Sequence, residues 1–404
     1  MKTLLAVFAT ALTFNASSAE LHPILPSGMK LFGAYSPGMM ANGVLYVSGQ
    51  GAEDARGHVP TGEDSQLRQC FSNIKTVVAA AGLTMQHVVY VQVYLTHYSD
   101  EESLNRISKE FFPSDPPARS VMGVAKLNGT PVEMSAVAVR DLAGKQTITS
   151  PAYSPDLPFS PAVRAGDRLY VSGVYGRDPT TGKIPDDPAA QVDLAFTQLA
   201  QILKAAGADF SNLVFVNPYL TARFPTDVMN RIYATHFEFG NTPARATIEV
   251  AGLPNGANFE LSGVAVLDLA KRRSVRPKNM PPSPTASPCV FAGDTFYCSA
   301  KSGFIPGVNG GIYAPDVETQ LRQTMRNLLD GLEEAGLNFS NVVSSNVYLD
   351  NIDDFSRMNR VYAQYFGAAP PARTTVQQLA PADRKADSRG HYPTLEQISI
   401  VAVK

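Results

Sequence analysis

Apolar and polar positions along the chain alternate in short runs, switch to helical spacing and return, and this order recurs three times. LYVSGQ, ending at Gln50, comes back as LYVSGV ending at Val174 and as FYCSAK ending at Lys301. Period-two alternation of this kind predicts a strand with one buried face. Downstream lie QLRQCFSNIKTVVAAAG, QVDLAFTQLAQILKAAG and QLRQTMRNLLDGLEEAG. Their apolar residues step by three and four: Leu67, Phe71, Ile74, Val78 and Ala81, then Val192, Phe196, Leu199, Leu203 and Ala206, then Leu321, Met325, Leu328, Leu332 and Ala335. Such spacing predicts an amphipathic helix, and Gly82, Gly207 and Gly336 supply its C-terminal stop. VYVQVYLT, VFVNPYLT and VSSNVYLD predict the next strand, in which Pro218 removes a ladder donor and implies a bulge or a local edge. A second helix carries LNRISKEFF, MNRIYATHF and MNRVYAQYF; then come PPARSVMGV, TPARATIEV and PPARTTVQQ, and closing strands VEMSAVAV, FELSGVAV and QISIVAV.

The unit is therefore β-β-α-β-α-β-β, about 125 residues long and present three times. It belongs to the α/β (α+β) class, with two helices covering one sheet face. The other face is still apolar, and three copies bury it together around a pseudo-threefold axis. Repeats are expected over residues 20–142, 150–269 and 281–404. The intervening AGKQTITSPAYSPDLP and AKRRSVRPKNMPPSPTASP are rich in Pro, Ser and Gly or charge and read as linkers that pack no core. Ahead of the first repeat, Lys2, an apolar run from Leu4 to Phe14 and small residues at Ser17 and Ala19 have signal-peptide grammar. Residues 1–19 are thus expected to be removed, leaving an exported, periplasmic chain without a membrane anchor; the alternative is a buried N-terminal helix.

Cysteines fit that compartment. Cys289 and Cys298 flank a two-residue hairpin turn at Gly293-Asp294 and face each other at a non-hydrogen-bonded position, where a cross-strand disulfide is expected. Cys70 falls on the helical pattern as a buried small hydrophobe. A net charge of -2 with 17% charged residues makes no global field for nucleic acid or an anionic membrane. The one basic run, Lys271, Arg272, Arg273, Arg276 and Lys278, reads as a solvated linker, so no nucleic acid is expected as partner. Six scattered histidines and unpaired cysteine spacings imply no metal, and the absence of GxSxG, GxGxxG and GxxxxGK[ST] leaves no elbow or phosphate loop and implies no cofactor.

What recurs is an arginine after Pro-Ala at a strand entry: Arg119, Arg245 and Arg373. Its planar fork matches a carboxylate bidentately. Two readings are open from spacing alone, a ligand carboxylate or a structural ion pair with the nearby Glu133 or Glu260.

The AYSP-like segment, LYVSGQ, the AAG helix end, VYLT, the LNR turn, PPARS and VEMSAVAV together resemble the Rid family, also called the YjgF or imine deaminase family, once per repeat over nearly the whole chain. The resemblance implies a chorismate-mutase-like fold, here a trimer built within one chain and monomeric as a whole, with a central barrel of sheets, outer helices and ligand clefts between neighbouring repeats. It implies hydrolysis of 2-imino or enamine acids such as 2-aminoacrylate to 2-keto acids and ammonia. Substrate carboxylate binding then falls to Arg119, Arg245 and Arg373, water to Glu133 and Glu260, and further substrate contacts to Tyr35, Ser48, Ser172, Asn105 and Asn230. A carboxylate beside an arginine keeps a low pKa, so orientation of water is expected more than strong base catalysis. Taken alone, the serines also read as strand-end hydroxyls and the asparagines as helix-turn caps.

The copies depart from the pattern by degrees. Phe159 replaces the tyrosine in repeat two; in repeat three Ala286 replaces it, Gln397 replaces the glutamate, and only Ser299, Asn359 and Arg373 remain. Repeat one thus reads as complete and repeat three as eroded. Besides a deaminase, the residues allow a noncatalytic binder of small carboxylates or an assembly module, and, behind both, a ribonuclease.

Overall fold

A computed structural model describes residues 20–29, 33–98, 101–151, 153, 156–178, 180–222, 224–278, 280–307, 311–379 and 383–404. The expected signal segment, 1–19, lies outside them. The first repeat contributes β1 (His22–Ile24), β2 (Gly38–Ala41), β3 (Val44–Gly51), α1 (Glu63–Ala80), β4 (Val88–Leu95), α2 (Glu102–Phe111), β5 (Ala118–Gly123) and β6 (Val132–Val139). The second contributes β7 (Lys145–Ile148), β8 (Ala162–Ala165), β9 (Arg168–Tyr175), α3 (Pro188–Ala205), β10 (Leu213–Thr221), α4 (Thr226–Thr235), β11 (Ala244–Arg245), β12 (Ile248–Val250) and β13 (Phe259–Val266). The third contributes β14 (Arg272–Val275), β15 (Cys289–Ala292), β16 (Thr295–Ser302), α5 (Val317–Glu334), β17 (Val342–Leu349), α6 (Phe355–Tyr362), β18 (Ala372–Gln377) and β19 (Glu396–Val403).

Each repeat forms its own sheet, and the order β1-β2-β3-β6-β4-β5 of the first recurs as β7-β8-β9-β13-β10-β11 and β14-β15-β16-β19-β17-β18. The predicted helix faces are the ones that pack: Leu67, Phe71, Ile74 and Val78 are fully buried under the first sheet, and their counterparts under the other two. Gly82, Gly207 and Gly336 end α1, α3 and α5 with φ near +74°, a conformation that costs a side-chain-bearing residue about 1 kcal/mol or more.

The expected linkers need correction. Residues 145–148 and 272–275 are edge strands of the sheets that follow, pairing Ile148 with Ala162 and Val275 with Cys289, and both Ile148 and Val275 are buried. The second and third structural units therefore begin at Lys145 and Arg272, before residues 150 and 281. The basic run is likewise partly structural: the Arg272 guanidinium donates to the carbonyls of Leu213 and Asn241 and to Asn241 Oδ1. Edge strands tolerate such sequences because only one side of the ladder must be satisfied.

Pro218 lies inside the sheet, opposite Leu261, and not at an edge. Its missing N–H falls on the side of the parallel edge strand, which is broken there into β11 and β12. Asn217 Nδ2 donates to the Ala246 carbonyl at 3.2 Å and fills the gap.

With helices on one face of each sheet, the other faces turn toward one another. Tyr94, Tyr219 and Tyr348, equivalent positions of β4, β10 and β17, are fully buried in a core to which all three repeats contribute. Backbone bridges link the repeats pairwise around this core: Gly123 with Gly252, Lys126 with Gln377, and Leu379 N with Glu249 O. Cys289 and Cys298 are opposite in the β15–β16 register and are bonded, with Cα atoms 4.0 Å apart. Gly331 of α5 makes room for them, since a Cβ there would lie 2.8 Å from Cys289 Sγ; the equivalent positions of α1 and α3 hold Val77 and Ile202. Cys70 is fully buried, and burial pushes its thiol up.

Candidate active clefts between repeats

The arginines sit where one repeat meets the next, and the same joint is built three times. Ser48 Oγ accepts from the backbone N–H of Arg373 at 2.8 Å and donates to the Ser36 carbonyl at 2.6 Å. Ser172 does the same between Arg119 and Ser160, and Ser299 between Arg245 and Ser287. The Pro-Pro-Ala-Arg entry is pinned further by Ser36 N to Pro371 O and Ser160 N to Pro117 O. Both hydrogen-bonding roles of each serine hydroxyl are thus committed to protein. Ser48 and Ser172, expected from the sequence as substrate contacts, hold the arginine strand of the neighbouring repeat in register, as does Ser299.

Asn105 and Asn230 also find a different job from capping. Both lie inside helices, and each Oδ1 accepts from a guanidinium: Arg119 Nη2 at 2.7 Å and Arg245 Nη1 at 2.8 Å. An amide oxygen aimed at a guanidinium fixes which way the fork points.

The second consequence of the joint is that arginine and glutamate of one repeat do not meet. Arg373 of repeat three faces Tyr35 and Glu133 of repeat one, with its Cζ 5.3 Å from the Tyr35 ring. Arg119 of repeat one faces Phe159 at 4.8 Å and Glu260 of repeat two. Arg245 of repeat two is joined to repeat three, which brings Ala286 and Gln397. The pairings Arg119 with Glu133 and Arg245 with Glu260 are therefore replaced, and completeness belongs to clefts rather than repeats. Arg373, from the copy that reads as eroded, occupies the cleft with both tyrosine and glutamate. Arg245 occupies the degenerate one.

Glu133 and Glu260 approach their clefts over Gly49 and Gly173, where any Cβ would overlap the carboxylate. At the matching position the third repeat carries Ala300, and there the acidic residue has become Gln397. Its amide donates to the Thr247 carbonyl at 3.1 Å and to Gln378 Oε1 at 2.8 Å. Alanine thus stands with glutamine where glycine stands with glutamate, in keeping with the overlap that a Cβ at Gly49 or Gly173 would make with the carboxylate.

The expectation of low carboxylate pKa values is overturned. Burial pushes Glu133 up to about 8, helped by the nearby charge of Glu53 and opposed by the Thr375 backbone and Arg373. Burial likewise raises Glu260 well above the usual carboxylate range, with Glu101 adding to the effect and Arg119 opposing it. Desolvation outweighs the arginine in both cases. Glu260 is 1% exposed, and its Oε1 has no hydrogen-bond partner among the described residues.

The guanidiniums themselves differ. Arg119 Nη2 lies 3.2 Å from Glu101 Oε2, a pair whose side chains are 4% and 19% exposed. Among the described residues neither Arg373 nor Arg245 makes an ion pair. Arg373 lies among the rings of Tyr35, Phe355 and Tyr362, and Arg245 over Tyr233. The structural ion pair thus exists once, with a different glutamate from the two considered. Glu101 and Phe355 were overlooked in the sequence; both stand four residues before the repeat asparagine, with Thr226 between them in chain order, so the internal alignment contained the signal. A cavity of about 370 Å³ adjoins Arg373 and Glu133, and one of about 1120 Å³ adjoins Arg119 and Glu260. Among the described residues no group of three His, Cys, Asp or Glu side chains is placed to hold a metal ion.

Comparison with known proteins follows the threefold division. Residues 27–140, 149–267 and 279–383 each match the family described as endoribonuclease L-PSP. The chain is similar to 2-iminobutanoate/2-iminopropanoate deaminase of Rattus norvegicus, 41% identical over 109 residues, which are 27% of this chain and 79% of the relative. The enzyme of the same name from Mus musculus is 39% identical over 110 residues, 27% of this chain and 81% of the relative. A chorismatase crystal structure aligns with 79% of this chain and 93% of its own, at a TM-score of 0.54 and 14% identity, a likeness of fold alone.

Proposed function

The chain belongs, in each of its three repeats, to the YjgF/Rid family described as endoribonuclease L-PSP, and from that premise we propose that it is an imine deaminase. In this reading it hydrolyses 2-imino acids to 2-keto acids and ammonia, chiefly in the cleft between repeats three and one. The observation that carries the reading is Arg373: a buried guanidinium with no ion pair among the described residues, lining one cavity with the buried carboxyl of Glu133. A buried arginine without an anion is costly to keep, and a substrate carboxylate is the partner its fork fits.

The chemistry follows from the two charges. Arg373 binds the 2-imino acid carboxylate, Tyr35 walls the site, and the C=N carbon is presented beside Glu133. With a pKa of about 8, Glu133 populates both forms near neutral pH. The carboxylate takes a proton as water adds to the C=N carbon, and the acid returns it to nitrogen as the C–N bond breaks. Water is consumed, and ammonia and the 2-keto acid are released without any redox step. Holding substrate and base in register supplies most of the acceleration on an already electrophilic carbon.

The cleft of Arg245 favours the noncatalytic reading for itself, since Gln397 has no proton to give and is engaged with Thr247 and Gln378. The experiment is ammonia release from freshly generated 2-iminobutanoate, timed against the spontaneous reaction. Rates unchanged by the protein would defeat the proposal.

A further inference from the structure

The arginine clefts differ at one position that the shared pattern does not specify. One helical turn before Asn359, Asn105 and Asn230 stand Phe355, Glu101 and Thr226, and residues i and i+4 lie on one helix face. In the cleft of Arg373 this side chain is a ring 5.4 Å from the guanidinium carbon, which brings no carboxylate to the N–H fork. In the cleft of Arg119 it is a carboxylate already bound to the fork at 3.2 Å. Tyr98 Oη donates to the other oxygen of Glu101 at 3.0 Å and holds it in place. A ligand carboxylate entering here must displace Glu101 or lie against it as a like charge.

Arg177 also lines this cleft, with its Nε donating to the Gly182 carbonyl; three other features point to the opposite ligand charge. Its cavity, about 1120 Å³, is three times that beside Arg373. Tyr98, Tyr153, Phe159 and Tyr175 line it, aromatic side chains of the kind that attract organic cations. Glu260 supplies a buried carboxyl oxygen with no partner among the described residues, and a cation beside it would favour its ionised form.

We propose that the cleft between repeats one and two takes organic cations without a carboxylate, namely amines and the iminium ions derived from them, with an aromatic body filling the larger cavity. The proposal rests on the reading of these clefts as imine sites. Glu101 does for Arg119 what the substrate carboxylate does for Arg373, and the ligand nitrogen lies between Glu101 and Glu260. Hydrolysis there would add water to the iminium carbon, break the C–N bond, and release ammonium and an aldehyde or ketone.

The test uses the full chain and two stable probes, 2-oxobutanoate and phenethylamine, titrated calorimetrically. Arg373→Ala is expected to abolish saturable 2-oxobutanoate binding and to leave phenethylamine binding in place. Within that background Glu101→Gln should weaken phenethylamine at least tenfold, whereas Arg119→Ala, which frees the Glu101 carboxylate, should retain or tighten it. Thermal melting checks that each variant is folded, and if Glu101→Gln is not, the Arg119→Ala arm decides alone. Overturning results are phenethylamine binding that is absent, indifferent to Glu101→Gln or lost in Arg119→Ala, or 2-oxobutanoate binding that survives Arg373→Ala and requires Arg119. Glu101-dependent amine binding in a protein that turns over no 2-imino acid would instead count against the proposed deamination and leave this site standing.

Discussion

Removing one arginine at a time separates clefts from repeats. In the arrangement described, Arg373→Ala removes the carboxylate fork from the cleft that also holds Glu133, while Arg119→Ala removes a guanidinium already neutralised by Glu101. Loss of one partner from a buried, charge-assisted pair costs about 3–5 kcal/mol, and each 1.4 kcal/mol is about tenfold. Arg373→Ala should therefore lower kcat/KM for 2-iminobutanoate by about two to three and a half orders of magnitude. Glu133→Gln, which removes the proton carrier, should cost about 10²- to 10⁴-fold. Because the two act in one cleft, the double variant should be little worse than the poorer single variant, as residues that work as a unit are strongly non-additive. Arg119→Ala and Arg245→Ala should each change the 2-iminobutanoate rate by less than about twofold, since neither arginine lines the cleft that holds Glu133. The assay is initial-rate ammonia release over a range of imine concentrations. An Arg119→Ala loss as large as that of Arg373→Ala, or effects of Arg373→Ala and Glu133→Gln that multiply, would refute the cross-repeat assignment.

Four further outcomes are expected. Since the Glu133 carboxylate takes the proton from water, kcat/KM should rise with pH through about 8, and Glu133→Gln should flatten the profile. The same carboxyl, raised from 4.5, binds an extra proton in the folded state between those values, so its contribution to stability falls as pH climbs through that window; a melting temperature whose pH slope is unchanged by Glu133→Gln would contradict this. In an Arg373→Ala background, Ala300→Gly with Gln397→Glu should restore measurable turnover at Arg245, whereas Gln397→Glu alone should not, because the Ala300 methyl occupies the carboxylate's place. Replacing Cys289 and Cys298 together by serine should lower stability by about 2–3 kcal/mol for so short a loop, read as a lower melting temperature with imine turnover retained.

Much of the fold was legible in the chain because it rests on local periodicity repeated three times. The apolar steps from Leu67 to Val78, the stops at Gly82, Gly207 and Gly336, and the hairpin at Gly293-Asp294 each encode their element within a few residues. The residue types of the site were legible too, since Arg119, Arg245 and Arg373 recur in one context. Edge strands β7 and β14 were missed because a strand paired on one side only needs no alternation strong enough to stand out from a linker. The low pKa expected for Glu133 failed because desolvation depends on burial, which is a property of the assembled joint.

Which residues share a cleft was settled by tertiary structure alone. Repeats one and two each carry the arginine toward one neighbour and the glutamate toward the other, so either repeat read in isolation holds a pair that it never uses together. Only the docking of sheets around the common core brings Arg373 to Glu133 and Arg119 to Glu260, and leaves Arg245 with Gln397. Sequence determines the inventory of side chains, through patterns a few residues long. Their partnership sets Arg373 and Glu133 in one cavity across more than two hundred residues of chain, and no local pattern encodes a distance of that kind.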